Sequence, residues 1–224
     1  MGVRAFRDRY EAGRVLAGEL SAYSGRPGVI VLALPRGGVP VAYEVAREIG
    51  APLDVFVVRK LGVPGFEELA MGAIATGGAL VLNDEVVRAL RVSEEAIELT
   101  TAAAKRELER RERLYRAARP PVKVRDRIVI LLDDGLATGA SMLAAVKALR
   151  AQQPARIVVA VPVATPDVCR LLQAQVDEII CAVTPAVLHC IGQWYEDFSQ
   201  TSDDEVRELL AELSVGRQAA QDAP

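Results

Sequence analysis

The chain of 224 residues has few histidines and cysteines, on which many metal centres and all disulfide frameworks depend. It contains one histidine, His189, and three cysteines, Cys169, Cys181 and Cys190, whose spacing matches no metal motif. An odd number of cysteines without such a framework is typical of a reducing compartment, so we expect a cytoplasmic protein. The start of the chain lacks an apolar signal segment, and no apolar run reaches the length of a membrane span.

The chain also lacks an excess of positive charge. Its 27 lysines and arginines are outnumbered by 30 acidic residues, and the pI is about 5.4. Because nucleic-acid binding depends on neutralising phosphates, this balance argues against a broad nucleic-acid surface. The P-loop, the G-x-G-x-x-G dinucleotide motif and the G-x-S-x-G hydrolase elbow are absent as well, which removes the fingerprints of those three classes.

An alternation of apolar strands and helices runs through most of the chain. The predicted strands are Val29–Leu34, Leu53–Val58, Ala79–Leu82, Ile128–Leu132, Arg156–Val163 and Val176–Ala182. This alternation predicts an α/β fold with a parallel, Rossmann-like sheet of about five strands and helices on both faces. We expect one domain over residues 1–215, with a core at 29–182, a helical insertion at 93–119, a C-terminal element at 183–213 and a flexible tail at 216–224.

The most informative segment is Ile128–Met142, IVILLDDGLATGASM. Asp133 and Asp134 follow a wholly apolar strand, at the edge where open α/β sheets bind ligands. Gly135–Ser141 permits a tight turn whose N–H groups, with the start of the next helix, can bind an anion. Paired acids beside an anion site suit a ligand that carries both hydroxyls and a phosphate, such as a ribose 5-phosphate.

Residues 132–141, LDDGLATGAS, resemble the signature of type I phosphoribosyltransferases, which bind phosphoribosyl pyrophosphate (PRPP). The resemblance implies that family's fold, with a small hood and a flap, and transfer of the phosphoribosyl group from PRPP to a nitrogenous base in nucleotide salvage, with release of pyrophosphate. It implies that Asp133 and Asp134 are the catalytic pair and hold the ribose hydroxyls, and that Mg²⁺ binds through PRPP with both as candidate ligands. The implied 5′-phosphate loop consists of Ala137, Thr138, Gly139, Ala140 and Ser141.

Two further segments resemble the pyrophosphate-binding elements of this family. The turn after the first strand resembles the pyrophosphate loop, in which the Arg36–Gly37 peptide is expected to be cis; its candidate residues are Arg36, Gly37 and Gly38. Arg59 and Lys60 follow the second strand, where basic residues reach pyrophosphate in the family. The glycine-rich stretch Leu61–Gly78 is then expected to be a mobile flap.

These motifs do not identify the acceptor base, although two positions argue against particular purine bases. Ala137 stands where hypoxanthine–guanine enzymes have a catalytic aspartate, and Ala75 lies close to the position of a flap glutamate in adenine enzymes. Trp194 and Tyr195 are candidates for stacking on the base, and packing of a terminal helix onto the sheet explains them equally well.

The arginine-rich helix at 93–119 is either a solvated face with ion pairs along the helix or an arm for RNA or a partner subunit. Its interleaved glutamates favour the solvated face. Two alternative functions stay open: a regulator that senses PRPP or a nucleotide on the same fold, and a hydrolase of a phosphoribosyl compound. Because dimers are common in the family, we expect a homodimer.

Overall fold

The computed structural model describes residues 6–116 and 119–221, except for the side chains of residues 214–221. Numbered along the chain, the strands are β1 (Val29–Ala33), β2 (Leu53–Val55), β3 (Val58–Val63), β4 (Phe66–Ala75), β5 (Ala79–Leu82), β6 (Ile128–Leu132), β7 (Arg156–Val163) and β8 (Glu178–Val183). The α-helices are α1 (Arg9–Glu19), α2 (Gly38–Ile49), α3 (Asp84–Ala89), α4 (Glu94–Arg116), α5 (Ala140–Ala151), α6 (Pro166–Gln173) and α7 (Asp203–Gln221).

Five strands form the predicted parallel sheet, in the order β2–β1–β6–β7–β8. Successive residues of β1 point to opposite faces of the sheet, so that Val29 and Val31 belong to one core and Ile30 and Leu32 to the other. The first core also contains side chains of α1, α2, α4 and α7, and the second contains those of α5 and α6. The prediction of a parallel sheet with helices on both faces is therefore confirmed.

The segment after β2 differs from the expectation. The second strand ends at Val55 rather than Val58, and most of the expected flap is ordered as the antiparallel sheet β3–β4–β5. Leu61 and Met71 are fully buried in the first core, which anchors this sheet. The turn between β3 and β4 contains Pro64 followed by Gly65 at φ 80°, the pattern of a type II turn.

The C-terminal part also extends further than expected. After a short 3-10 turn at Ile191–Trp194, α7 continues to Gln221, past residue 215, the predicted end of the domain. Residues 117–118 of the expected insertion and residues 222–224 of the expected tail lie outside the described residues. No helix within the described ranges has the length and apolarity needed to cross a bilayer.

Candidate active site

The candidate site lies where the order of the sheet reverses. β1 has β2 on one side and β6 on the other, so the loops that follow β1 and β6 leave the sheet next to each other. The backbone N–H of Leu34 donates to the carbonyl of Leu132 at 2.9 Å, which joins the two loops at their origin. The topology thus brings together the two segments that the sequence singled out.

The glycines of the first loop allow it to lie directly against the two acids. A Cβ added to Gly37 would be 2.1 Å from Oδ2 of Asp134, and one added to Gly38 would be 2.9 Å from the Cα of Asp133. Neither glycine has a positive φ, so close approach between the loops, rather than backbone conformation, requires glycine here.

The acidic pair is held by hydrogen bonds within and beyond its own loop. The N–H of Asp134 donates to Oδ1 of Asp133 at 2.9 Å, and Oδ2 of Asp134 accepts from Nε of Arg9 at 2.8 Å. Burial raises the pKa of Asp133 well above its usual value, and the adjacent charge of Asp134 raises it further. Burial also raises the pKa of Asp134, and the hydrogen bond and positive charge of Arg9 partly offset this rise. Two carboxylates crowded in this way are suited to a ligand that supplies hydroxyl donors or positive charge.

Arg9 contacts the acidic pair and is not among the site residues that the sequence predicts. It lies at the start of α1 and is only 9% exposed. A signal was present, because Arg9 falls on the same face of α1 as the buried Ala12, Gly13 and Leu16. A cation on a buried helix face requires a buried acceptor, although the spacing along α1 does not indicate which one.

The loop before α5 is the segment for which the sequence predicts an anion site, residues 137–141. Gly139 adopts the left-handed conformation with φ 73°, and a Cβ there would be 3.0 Å from Val168 of α6. At the N-terminus of α5, a helix of 12 residues, the N-cap residue Gly139 has no side chain that could cap the helix, and the N–H of Ala140 donates to Oγ1 of Thr138 at 3.4 Å. The remaining candidates, Ala137, Thr138, Ala140 and Ser141, are largely accessible, Ala140 and Ser141 through the first turn of the helix. The positive end of the α5 dipole is therefore open to an anion on this loop.

Arg36 lies in the first loop and is partly exposed. Its Nη1 is 3.8 Å from Oδ1 of Asp203, at the start of α7. That carboxylate also accepts a hydrogen bond from the hydroxyl of Tyr115 at 2.9 Å. The cis peptide bond lies between Pro35 and Arg36, one residue before the expected position.

Arg59 and Lys60 do not end a strand of the main sheet, which corrects the expectation. Both are inside β3, because β2 stops at Val55 and the chain turns into the antiparallel sheet. Neighbouring residues of a strand point to opposite faces of the sheet, so the side chains of Arg59 and Lys60 cannot both face the same ligand. Lys60 pairs with Ala73, which lines a groove together with Ala140 of α5. Lys60 is therefore on the α5 face, and Arg59 is on the opposite one.

The two aromatic candidates have different environments. Tyr195 is 6% exposed, and its hydroxyl donates to the backbone carbonyl of Asp134 at 2.6 Å. Its ring packs between Phe6 and Phe198, with centroid distances of 5.7 and 5.0 Å. The buried ring of Tyr195 is not accessible for stacking on a base, which corrects that expectation; its hydroxyl instead supports the acidic loop. Trp194 is half-buried and packs in the same small cluster.

The donor set fits a magnesium ion that is carried by its ligand. Within the described part of the chain, no group of three or more His, Cys, Asp or Glu side chains is arranged to hold a metal. Mg²⁺ typically binds through one or two carboxylates together with substrate phosphates. Asp133 and Asp134 beside an open anion site match that pattern.

The chain is similar to known proteins in sequence and in fold. A family model described as "Phosphoribosyl transferase domain" matches residues 5–186. Two Mycobacterium tuberculosis proteins, from strains H37Rv and CDC 1551, are each named "Putative phosphoribosyl transferase" and are 47% identical to this chain over 208 residues. Those matches cover 93% of this chain and 47% of each relative, so the chain spans about half the length of these curated relatives.

A solved structure is similar over nearly its whole length. The crystal structure of TT1426 from Thermus thermophilus has a TM-score of 0.83 and 42% sequence identity to this chain. The match covers 94% of this chain and 99% of that one. The architecture described above is therefore shared by an experimentally determined structure.

Proposed function

This chain belongs to the phosphoribosyl transferase family, a family of transferase enzymes, and we propose that it transfers the 5-phosphoribosyl group from PRPP to a nitrogenous base with release of pyrophosphate. The observation that carries the proposal is the meeting of three elements at one point of the sheet. A glycine loop, a pair of acids and an open helix N-terminus lie side by side. These elements match the pyrophosphate, ribose and 5′-phosphate parts of PRPP in that order.

In the proposed reaction, a ring nitrogen of the base forms a bond to C1 of the ribose as the bond from C1 to the pyrophosphate oxygen breaks. The electron pair of the broken bond leaves with pyrophosphate, and the N–H proton of the base passes to solvent. Asp133 and Asp134 accept hydrogen bonds from the ribose hydroxyls and stabilise the positive charge that develops on the sugar. When bound with PRPP, Mg²⁺ supplies positive charge that stabilises the departing pyrophosphate.

Positioning accounts for most of the catalysis in this proposal. The 5′-phosphate binds to the N–H groups of residues 137–141, and the N-terminus of α5 adds its dipole. Pyrophosphate binds against Gly37 and Gly38, with Arg36 beside it. Lys60 is a better candidate than Arg59 for a further pyrophosphate contact, because it lies on the α5 face of β3.

The acceptor is proposed to be a purine or pyrimidine base used in nucleotide salvage. Ala137 cannot exchange a proton with the base, which argues against the mechanism implied for hypoxanthine–guanine enzymes. Ala75 is fully buried in the second core and carries no acid, which argues against adenine. We further propose that the protein is a cytoplasmic homodimer. The cysteine content supports the compartment, and the frequency of dimers in the family supports the oligomeric state.

The regulator alternative depends on α4, and the ion pairs of that helix weaken it. Glu107 bonds both Arg110 and Arg111, at 2.7 and 3.0 Å, and Arg116 is buried against Asp54. These arginines therefore form a face with balanced charge rather than a continuous phosphate-binding surface. The hydrolase alternative is separated by product analysis, since transfer consumes the base and hydrolysis does not.

The first test is calorimetric titration with PRPP and Mg²⁺, repeated with ribose 5-phosphate and with pyrophosphate. We expect PRPP to bind more tightly than either fragment. The double variant Asp133→Asn with Asp134→Asn should weaken PRPP binding by about 10-fold or more, because each charge-assisted hydrogen bond is worth about 1.5–3 kcal/mol. Asp167→Asn, at an exposed position on α6, is the control and should bind like wild type.

Two outcomes would overturn the proposal. Failure of the wild-type protein to bind any of the three ligands would exclude a PRPP site. Unchanged affinity in the double variant would exclude the acids as the ribose site. If PRPP binds, a screen of bases for pyrophosphate release then identifies the acceptor.

A further inference from the structure

Arg9 connects three segments that are distant in the sequence. Its Nε donates to Asp134, 125 residues away, and its Nη1 donates to the carbonyl of Ser199 at 2.7 Å. The guanidinium also lies over the ring of Phe198, with 3.9 Å from Cζ to the ring centroid. One side chain thus joins α1, the acidic loop and the segment before α7.

The ion pair is shielded from water. The side chains of Arg9 and Asp134 are 10% and 13% exposed, so the attraction between them is screened far less than that of a surface pair. A planar guanidinium with one N–H on a carboxylate and another on a carbonyl is fixed in orientation. The Asp134 carboxylate is fixed with it.

The pair is also in contact with the first loop. A Cβ on Gly37 would be 2.1 Å from Oδ2 of Asp134 and 3.3 Å from Nε of Arg9. Tyr195 holds the backbone carbonyl of Asp134 from the other side at 2.6 Å. The location of this carboxylate relative to both loops therefore depends on Arg9.

We propose that Arg9 is a positioning residue, which fixes the Asp134 carboxylate against the glycine loop for binding of the ribose and couples it to the segment containing Phe198 and Ser199. This inference rests on the proposed function, because it assigns the ribose to the acidic pair. It makes a selective prediction. Loss of Arg9 should weaken ligands that contain ribose and should leave pyrophosphate, which binds to backbone and to other cations, almost unaffected.

The test compares Arg9→Met, Arg9→Lys and the control Arg14→Met by calorimetry with PRPP, ribose 5-phosphate and pyrophosphate, each with Mg²⁺. Arg14 is on the same helix and pairs with Glu44 at 3.0 Å, but its side chain is 45% exposed. For Arg9→Met we expect PRPP and ribose 5-phosphate to bind about 10–100-fold more weakly, the range for loss of a charge-assisted hydrogen bond, and pyrophosphate to stay within about twofold. Arg9→Lys keeps the charge and should recover part of the loss, and Arg14→Met should match wild type.

A second arm separates positioning from general damage to the fold. If Arg9 acts through Asp134, then Arg9→Met should cause no further loss of ribose 5-phosphate affinity in a protein that already carries Asp134→Asn. The Arg9→Met, Asp134→Asn double variant has no unpaired buried carboxylate at residue 134. It therefore tests the coupling between the two residues even if Arg9→Met alone folds poorly.

The outcomes distinguish this inference from the proposed function. A wild-type protein that binds none of the three ligands overturns the proposed function and with it the role of Arg9. A wild-type protein that binds PRPP, together with an Arg9→Met variant of equal affinity, overturns only the role of Arg9. Equal losses for pyrophosphate and ribose 5-phosphate, or additive losses in the double variant, overturn it as well.

Discussion

Replacement of Gly38 by alanine tests whether the contact between the two loops determines the geometry of the site. The added Cβ would lie 2.9 Å from the Cα of Asp133 and 3.0 Å from the carbonyl oxygen of Leu132. Both are backbone atoms, so no change of rotamer relieves the contact. The loop after β1 must therefore move away from the acidic pair by a few tenths of an ångström or more.

The magnitude follows from two opposing effects. Overpacking of this kind costs about 1–3 kcal/mol, and alanine regains about 0.4–1 kcal/mol by restricting the unfolded chain. From the middle of each range we expect a net loss of about 1–2 kcal/mol in the free energy of unfolding and a fall in Tm of about 2–8 °C for a domain of this size. PRPP affinity should fall by about 10-fold or more, because small displacements of binding groups have large effects.

Gly18→Ala is the matched control. Gly18 is an exposed residue of α1, and a Cβ there would meet no atom within 4 Å. Alanine should stabilise the helix by about 0.5–1 kcal/mol and leave PRPP binding unchanged. Urea unfolding and calorimetry measure both quantities for each variant. A Gly38→Ala protein as stable as wild type and with full PRPP affinity would refute the argument.

Three further contacts are tested by substitution and urea unfolding. Tyr195→Phe keeps the ring but leaves the buried carbonyl of the acidic loop without its hydroxyl donor, which should cost about 1–2 kcal/mol; no loss would show that water replaces the hydroxyl. Arg116→Met removes the cation beside the buried carboxylate of Asp54, which keeps only the hydrogen bonds from the N–H groups of Val55 and Val122, and should cost about 3–5 kcal/mol. Its control, Arg113→Met at an exposed position, should change stability by less than about 0.5 kcal/mol. Similar losses for the two variants would refute the argument. Hydrogen bonds from the hydroxyl of Tyr23 and from Arg156 lower the pKa of Glu178 below its ordinary value of 4.5. The stability that this carboxylate contributes is therefore present above pH 4.5 and is lost as the pH falls through the lowered pKa. Glu178→Gln should reduce the acid-side loss of stability in measurements down to about pH 3, and an identical pH dependence would contradict the assignment.

The parallel sheet and the two loops could be predicted from the sequence because their signals are local. Ile128–Leu132 is wholly apolar and bounded by charged residues, and its predicted bounds are those of the strand. Gly37 and Gly38 lie between an apolar strand and a helix, and Asp133 and Asp134 follow another strand. Since carboxyl ends of parallel strands lie at one edge of a sheet, the strand assignment alone brings these residues to the same edge.

The antiparallel sheet could not be predicted in the same way. Its five glycines, Gly62, Gly65, Gly72, Gly77 and Gly78, suggest a loop, yet two of them are required by close packing within strands. A Cβ on Gly62 would be 2.6 Å from the carbonyl oxygen of Glu67, and one on Gly72 would be 2.4 Å from that of Val81. Glycine that permits close strand approach and glycine that permits mobility give the same sequence pattern.

The missed residue, Arg9, shows where the limit of sequence analysis lies. Arg9 and Arg14 are cations of the same helix and differ in the face that they occupy. The apolar stripe of α1 places Arg9 on the buried face, from which a buried acidic partner follows by the cost of an unpaired charge. Asp54 is another acid near the end of a buried strand, and it is paired with Arg116 instead. The sequence does not show this pairing, because it depends on how the helices pack. Arg9 could therefore have been flagged from the sequence, but its assignment to Asp134 requires the tertiary structure.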